Sequence, residues 1–202
     1  MASSATEDVI IDCDPGCDDA LAILLALASP KLRVRALTIV HGNLVDIAKL
    51  AENARSIVDL ARAHNAGTPD VPVYLGACKP VARPAHGGAA FVHGANGLGN
   101  VVLPAPSTPP VHPHVCGAAQ AIVQLCREQP GRITVIAIGP LTNLATALLL
   151  EPALPSLVRR VAIMGGAFQT HGNITPLAEA NVYNDPEAAR AVFAANVSCR
   201  GW

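Results

Sequence analysis

Short apolar runs alternate along this chain with longer stretches in which apolar residues recur at helical spacing. The runs predict buried strands at residues 9–13, 33–40, 71–75, 133–138 and 160–164. The spaced stretches predict helices at residues 18–28, 47–61, 115–129 and 141–150, with Asp46 as the N-cap of the second, and one more helix capped by Asp185 in Asp185-Pro186-Glu187. A short helical turn is predicted before the strand at 160–164, and a loop with Asn173, Glu179 and Asn181 after that strand. Strands that alternate with helices indicate an α/β fold, an open and mainly parallel sheet with helices on both faces. We expect residues 1–202 to form a single domain.

Two segments depart from this rhythm. Residues 78–114 are rich in proline and glycine and show no periodicity, so we expect a functional or mobile loop there. Residues 196–202 follow a helix where another buried strand is due, but the apolar run stops almost at once. A frayed end and a shortened product both account for that ending, and a shortened product leaves the fold incomplete at its C-terminus.

Composition narrows the classes of partner. The 202 residues are 51% hydrophobic and 14% charged, with a formal net charge of −1. A chain without a basic cluster has no electrostatic footprint for nucleic acid or for anionic lipid. No apolar stretch reaches the roughly 20 residues that span a bilayer, and residues 1–8 lack the pattern of a signal peptide. The six cysteines form no C-x-x-C pair. We therefore expect a cytoplasmic protein that binds neither nucleic acid nor membranes.

Four aspartates follow the first predicted strand within eight residues: Asp12, Asp14, Asp18 and Asp19. This edge of a parallel sheet is where ligands bind. Such crowding of carboxylates is unfavourable unless a cation lies among them or some are protonated, and Ca²⁺ suits carboxylate, carbonyl and water oxygens. The alternative to a cation site is that Asp18 caps the helix while Asp12 and Asp14 are solvated loop residues.

Two further motifs are alternatives for the same aspartates. An EF-hand fails, because Cys17 and Ile23 stand where that loop needs Gly and Glu. A phosphatase of the haloacid dehalogenase type, with Asp12 as nucleophile and Asp14 as acid/base, stays open as a weaker match.

Residues 9–28, VIIDCDPGCDDALAILLALA, resemble the signature of the inosine-uridine-preferring nucleoside hydrolases. Further matching segments follow in the same order along nearly the whole chain to about residue 196. They are His41-Gly42-Asn43, His93-Gly94 with Gly97-Leu98-Gly99, Gly139-Pro140-Leu141-Thr142-Asn143, Met164-Gly165-Gly166, Gly172-Asn173, Glu179 with Asn181, and Asn184-Asp185-Pro186-Glu187-Ala188-Ala189.

The resemblance implies a Rossmann-like nucleoside hydrolase fold and hydrolysis of the N-glycosidic bond of ribonucleosides. It implies Ca²⁺ held by the Asp14 and Asp19 carboxylates and the Thr142 carbonyl, with Asp14 also the base that activates water. It implies a homo-oligomer, which the low charge also favours. It places six residues on the substrate: Asp18, Asn43, Met164, Asn173, Glu179 and Asn181. His93, in the glycine-rich loop, is a further group able to approach the nucleobase.

The sequence departs from the family pattern in one respect. Members of the family carry a late His-Asp pair, whose Asp completes the calcium shell and whose His assists departure of the base, and no such pair follows residue 196. We therefore expect poor hydrolysis by this chain alone. A non-catalytic form that binds nucleoside, or that acts by assembling with a longer partner, is the second hypothesis.

Overall fold

A computed structural model describes residues 6–110, 117–195 and 198–201. Strands and helices alternate along the chain, as predicted. The elements are β1 (Glu7–Cys13), α1 (Cys17–Ala28), β2 (Leu32–Ile39), α2 (Ile47–His64), β3 (Val73–Leu75), α3 (Ala90–His93), α4 (Ala118–Glu128), β4 (Ile133–Ala137), α5 (Thr142–Leu150), α6 (Leu154–Leu157), β5 (Arg160–Ile163), α7 (Ala180–Asn184), α8 (Pro186–Ala194) and β6 (Cys199–Gly201).

The six strands form one sheet in the order β3-β2-β1-β4-β5-β6, and every paired neighbour runs parallel. β1 lies between β2 and β4, where the chain switches from building one side of the sheet to building the other. Ligands bind outside the carboxyl ends of the strands at such a switch point. The predicted fold class is confirmed, and the acidic cluster follows the strand at the switch point.

Hydrophobic packing covers both faces of the sheet, as the apolar strands require. α1 and α2 pack on one face, where Ile23 and Leu50 join Val9 and Ile11 of β1. α4, α5 and α8 pack on the other face, where Ile122, Leu144 and Val192 meet Ile10 of β1. Alternate residues of β1 therefore point into two separate cores, and the central strand is held from both sides.

Local sequence explains where several helices begin. Asp46 caps α2 by accepting hydrogen bonds from the amides of Ala48 and Lys49, as predicted. Asp185 caps α8 in the same way, with Pro186 at the first helical position. α1 begins at Cys17 with Gly16 as its N-cap, one residue earlier than predicted.

Two short helices were not predicted. α3 lies within residues 78–114, where we predicted no regular structure, and α7 begins at Ala180 in what we predicted to be a loop. Each is about one turn long, too short to show a repeat in the hydrophobic pattern. Cys199–Gly201 pairs with β5 as a three-residue strand, within the segment where the apolar run stops. The predicted helix start at residue 115 lies outside the described residues, and α4 begins at Ala118.

Candidate functional site

The loop between β1 and α1 forms the centre of the candidate site. It leaves the carboxyl end of the central strand and delivers Asp14 and Asp19 into the interior, where their exposed fractions are 3% and 4%. The Asp19 carboxylate folds back over the start of its own helix and accepts a hydrogen bond from the Gly16 amide at 3.1 Å. The two carboxyl groups predicted to hold a cation are therefore both removed from solvent.

Asp14 is held by the segment that follows β2. The Asn43 amide donates to Asp14 Oδ2 at 2.9 Å, and the Asn43 side-chain amide donates to the Asp14 carbonyl at 2.8 Å. Two glycines leave the space for this carboxylate. A Cβ on Gly42 would overlap Asp14 Oδ2, and a Cβ on Gly139 would lie 2.7 Å from Asp14 Oδ1.

Burial and like charge disfavour ionisation of this pair. Burial raises the pKa of Asp14 well above its usual range, and the neighbouring Asp19 carboxylate raises it further. Burial also raises the pKa of Asp19 to about 7, with a contribution from Asp18. Asp19 Oδ1 is buried and has no hydrogen-bond partner among the described residues. Two repelling carboxyl groups with an unpartnered oxygen are what a bound cation would stabilise.

Asp12 lies one step further inside, on β1 itself, and is fully buried. Its Oδ1 accepts hydrogen bonds from the Thr38 hydroxyl at 2.6 Å and from the Asn143 side-chain amide at 2.8 Å. Burial raises the pKa of Asp12 to about 6, although both hydrogen bonds lower it. Asn143 also donates to the Ile39 carbonyl, and its Oδ1 accepts from the Ala77 amide. Asp12 and Asn143 thus join the ends of three strands beneath the site.

His93 and Asp18 lie together at the first turn of α1. The Cys17 amide donates to His93 Nδ1 at 3.3 Å, and Asp18 Oδ1 lies 3.8 Å from the same nitrogen. The Asp18 side chain is 71% exposed, whereas that of His93 is 12% exposed. A Cβ on Gly16 would come within 2.8 Å of the His93 ring, so this glycine lets the imidazole pack on the loop.

A second group of predicted residues surrounds the segment after β5. Glu179 caps α7: its Oε1 accepts from the Asn181 amide, and its Oε2 accepts from the amides of Gly166 and Val182. An ionised carboxylate has about four acceptor positions, so about one stays available to a ligand. The Asn181 side-chain amide donates to the carbonyls of Ile138 and Met164. Met164 is 43% exposed beside it.

Asn173 joins this second group through the Ala180 amide, which donates to Asn173 Oδ1 at 2.8 Å. The two groups meet at the end of β4, because Asn181 binds the Ile138 carbonyl and the next residue, Gly139, lies against Asp14. The fold thus connects the predicted calcium ligands to the predicted ribose contacts through two consecutive residues.

Thr142 lies at the first position of α5, close to this junction in sequence. Its hydroxyl is buried between His41 and Asp185, with the His41 Nε2 and Asp185 Oδ2 atoms at 2.9 and 2.7 Å. Its carbonyl accepts a hydrogen bond from the Thr146 hydroxyl at 2.8 Å. The oxygen predicted to bind calcium therefore already has a partner within α5, which a cation would share or displace.

The sequence pattern indicates no role for His41 or Asn143, and it indicates only a helix cap at Asp185. All three are buried and polar and make contacts between elements distant in sequence. In the sequence, the signal for these three residues is that each lies inside a segment that resembles the family. Such a segment does not indicate which side chains they contact.

The residues present fit a calcium ion in part. Asp14 and Asp19 supply hard oxygen donors in a buried place that favours neutralisation. Across the residues that the structure describes, no three His, Cys, Asp or Glu side chains are grouped closely enough to hold a metal. Ca²⁺ takes about 6 to 8 oxygens, so carbonyls and waters would have to supply the remaining ligands.

The fold and the site define an α/β protein whose ligand site combines buried carboxylates with amide side chains at the switch point of a parallel sheet. The family model for inosine-uridine preferring nucleoside hydrolases matches residues 9–201, and the chain belongs to that family. This membership confirms the predicted family, and it does not favour the phosphatase alternative.

Similar proteins are known from distant organisms. Uridine nucleosidase 1 of Arabidopsis thaliana is 44% identical over 187 residues, which are 93% of this chain and 53% of that protein. The inosine-uridine preferring nucleoside hydrolase of Leishmania major is 42% identical over 188 residues, 92% of this chain and 56% of that protein. The chain thus spans about half the length of the curated relatives that it matches.

Solved structures share the fold. The plant nucleoside hydrolase PpNRh1 has a TM-score of 0.86 and 40% identity, covering 97% of this chain and 59% of its own. The purine-preferring ribonucleoside hydrolase from Gardnerella vaginalis has a TM-score of 0.88 and 31% identity, covering 96% of this chain and 60% of its own.

Within the described part of the chain, none of the helices is long and apolar enough to cross a membrane.

Proposed function

We propose that this chain carries the ribose-binding and water-activating part of a calcium-dependent enzyme that hydrolyses ribonucleosides to ribose and free base. The observation that supports this most is the buried pair Asp14 and Asp19, with raised pKa values and an unpartnered oxygen. A bound Ca²⁺ would supply Lewis acidity that makes a water easier to deprotonate. Asp14 and Asp19 would hold the ion, with the Thr142 carbonyl as a further ligand.

In this proposal Asp14 takes the proton of the attacking water. Hydrolysis of a glycosidic bond passes through an oxocarbenium-like transition state, so the base and the sugar must be held in fixed relation. The Asn43 amide keeps Asp14 Oδ2 in place, and the close approach of Gly42 and Gly139 restricts the carboxylate further. A carboxylate held in this way can take a proton from a water within hydrogen-bond reach, which is the geometric requirement of a general base.

The ribose hydroxyls would be bound by Asp18, Asn43, Asn173, Glu179 and Asn181. Asn173 and Glu179 each use part of their hydrogen-bonding capacity within the protein and retain groups for a ligand. Met164 would pack beside the sugar, since it is partly exposed and lies against Asn181. His93, the last residue of α3, would lie near the nucleobase, with its ring close to Gly16.

Release of ribose from inosine and uridine tests the proposal. We expect purified chain to release ribose slowly, with activity that rises with Ca²⁺ and disappears with a chelator. Slow release is expected because Asp14 and Asp19 would be the two carboxylates on the cation, and the described residues group no three His, Cys, Asp or Glu side chains that could hold a metal. Asp14→Asn should abolish the release, since it removes the base. Calcium-independent turnover, or full activity in Asp14→Asn, would overturn the assignment.

We further propose that the protein assembles as a homo-oligomer and resides in the cytoplasm. Large apolar side chains such as Leu21, Leu25 and Val102 are 70%, 74% and 89% exposed, which favours a covered surface. Four described cysteines are free thiols, as a reducing compartment would keep them: Cys13, Cys17, Cys78 and Cys126. Light scattering during size-exclusion chromatography measures the mass; a monomer at micromolar concentration would contradict the oligomer.

A further inference from the structure

Three buried side chains from distant parts of the sequence form a connected network that the proposed mechanism does not use. His41 follows β2, Thr142 begins α5, and Asp185 precedes α8. Their exposed fractions are 5%, 2% and 0%. The Thr142 hydroxyl lies between the other two, 2.9 Å from His41 Nε2 and 2.7 Å from Asp185 Oδ2.

The donor and acceptor roles in this network follow from the chemistry of its members. An ionised carboxylate only accepts, so the single hydroxyl proton of Thr142 is donated to Asp185. The Thr142 oxygen is then an acceptor toward His41 Nε2, which carries the proton. Asp185 is itself fixed, because its two oxygens also accept from the amides of Val81 and Ala188. The network therefore holds the His41 ring in one orientation.

His41 leads directly to the proposed base. Gly42, the next residue, has its Cα so close to Asp14 that an added Cβ would overlap Asp14 Oδ2. Asn43 follows, and its amide donates to the same oxygen at 2.9 Å. The His41 amide is also tied down, since it donates to the Ala77 carbonyl at 2.8 Å. A shift of the His41 ring would move backbone that touches the Asp14 carboxylate.

We propose that Asp185 and His41 are positioning residues for Asp14, and that they act through the Thr142 hydroxyl on the backbone of residues 41–43. The role of Asp14 as a base rests on the proposed function. The connection from Asp185 through Thr142 and His41 to the Asn43 amide can be tested without measuring activity. The N-cap of α8, which the sequence alone explains as a helix signal, then serves the active centre as well.

Thr142 is the side chain to change, because substituting Asp185 also removes a helix cap. Thr142→Val removes the hydroxyl and keeps the shape, and Thr142→Ser keeps the hydroxyl. Thr134→Val is the matched control, since the Thr134 hydroxyl is also buried and donates to a carboxylate, Glu7, at the other end of β4. Hydrogen exchange of the Asn43 amide, followed by NMR, reports the bond to Asp14.

We expect Thr142→Val to speed exchange of the Asn43 amide by about tenfold or more, since local opening needs no global unfolding. Thr142→Ser should retain slow exchange, and Thr134→Val should leave it unchanged despite a comparable loss of thermal stability. Exchange at Asn43 that is equally slow in Thr142→Val would overturn the inference, because the network would then only stabilise the fold.

Activity provides a separate readout. If the parent chain releases ribose, Thr142→Val should lower kcat by about tenfold with a smaller change in KM, because a misplaced base slows the chemical step more than binding. An unchanged kcat in that variant contradicts the positioning role. If the parent neither binds Ca²⁺ nor releases ribose, the proposed function fails, and the Asn43 amide still decides whether the network holds Asp14.

Discussion

At the scale of single residues, the candidate site depends on two glycines, whose lack of a side chain leaves room for the Asp14 carboxylate. Gly42 and Gly139 approach the two oxygens of Asp14 from different segments of the chain, and neither position has room for a Cβ. A carboxylate enclosed in this way keeps one orientation without needing many hydrogen bonds. The space around Asp14 is therefore as much a part of the site as its partners.

Gly42→Ala tests this point. The added methyl group would overlap Asp14 Oδ2 and displace the carboxylate. We expect Ca²⁺ affinity to fall at least tenfold and the free energy of unfolding to drop by about 1–3 kcal/mol, the usual cost of overpacking. Calorimetric titration and urea denaturation measure the two effects.

Gly87→Ala is the matched control, because a Cβ there meets nothing within 4 Å. It should leave both quantities close to those of the parent. Calcium affinity that stays at the parental value in Gly42→Ala would show that Asp14 does not hold the ion.

At the scale of the elements, helix starts carry parts of the site. Glu179 satisfies the first amides of α7 and also the Gly166 amide after β5. The predicted ribose ligand therefore organises the segment that presents Met164 and Asn181. Asp46 performs the same capping task for α2 and is exposed. Comparison of Asp46 with Glu179 therefore distinguishes a cap that only stabilises its helix from a cap that lies within the candidate site.

Glu179→Ala and Asp46→Ala should each lower the free energy of unfolding by about 1 kcal/mol, with Glu179→Ala the more costly since three amides lose their acceptor. Nucleoside affinity, measured by calorimetry in the presence of Ca²⁺, should fall in Glu179→Ala and remain unchanged in Asp46→Ala. An equal effect of both variants on nucleoside affinity would remove Glu179 from the substrate site.

At the scale of the whole molecule, buried acids make stability depend on pH. Burial raises the pKa of Asp12 to about 6 and of Asp19 to about 7, and it raises that of Asp14 as well. A carboxyl group with a raised pKa in the folded state stabilises that state fully only below its unfolded pKa, near 4. That contribution is lost as pH rises through the folded pKa. Glu7 and Asp8 act in the opposite sense, because their pKa values are lowered.

We therefore expect Asp19→Asn to gain stability relative to the parent as pH rises from about 4 to about 8 in the presence of a chelator. Both proteins retain Glu7 and Asp8, so the difference between their urea midpoints reports Asp19 together with its effect on the neighbouring Asp14. Added Ca²⁺ should raise the midpoint of the parent at pH 8 and leave that of Asp19→Asn nearly unchanged. A midpoint difference that is constant with pH would mean that burial does not raise the pKa of Asp19.

Much of the fold was predictable because it depends on local patterns. The strand and helix order follows from the apolar periodicity, and Asp46 and Asp185 were recognisable as caps from their position before helical stretches. α3 and α7 were missed because about one turn has no period to detect. The predicted calcium ligands and substrate residues stay predictions, although the structure connects most of them around the carboxyl ends of β1, β4 and β5.

The sequence by itself determined the class of fold, the position of the acidic cluster after the first strand and the resemblance to a family, since each is written in contiguous residues. Only the tertiary structure decided which carboxyl groups are buried together, that Asp19 has an unpartnered oxygen, and that Asp185 reaches Thr142 and His41. Hydrogen bonds between residues 43 and 101 positions apart, and burial between such segments, depend on how the sheet brings strand ends together. That arrangement gives the aspartates different surroundings: Asp14 and Asp19 are buried side by side, Asp12 is bonded to Thr38 and Asn143, and Asp185 caps α8.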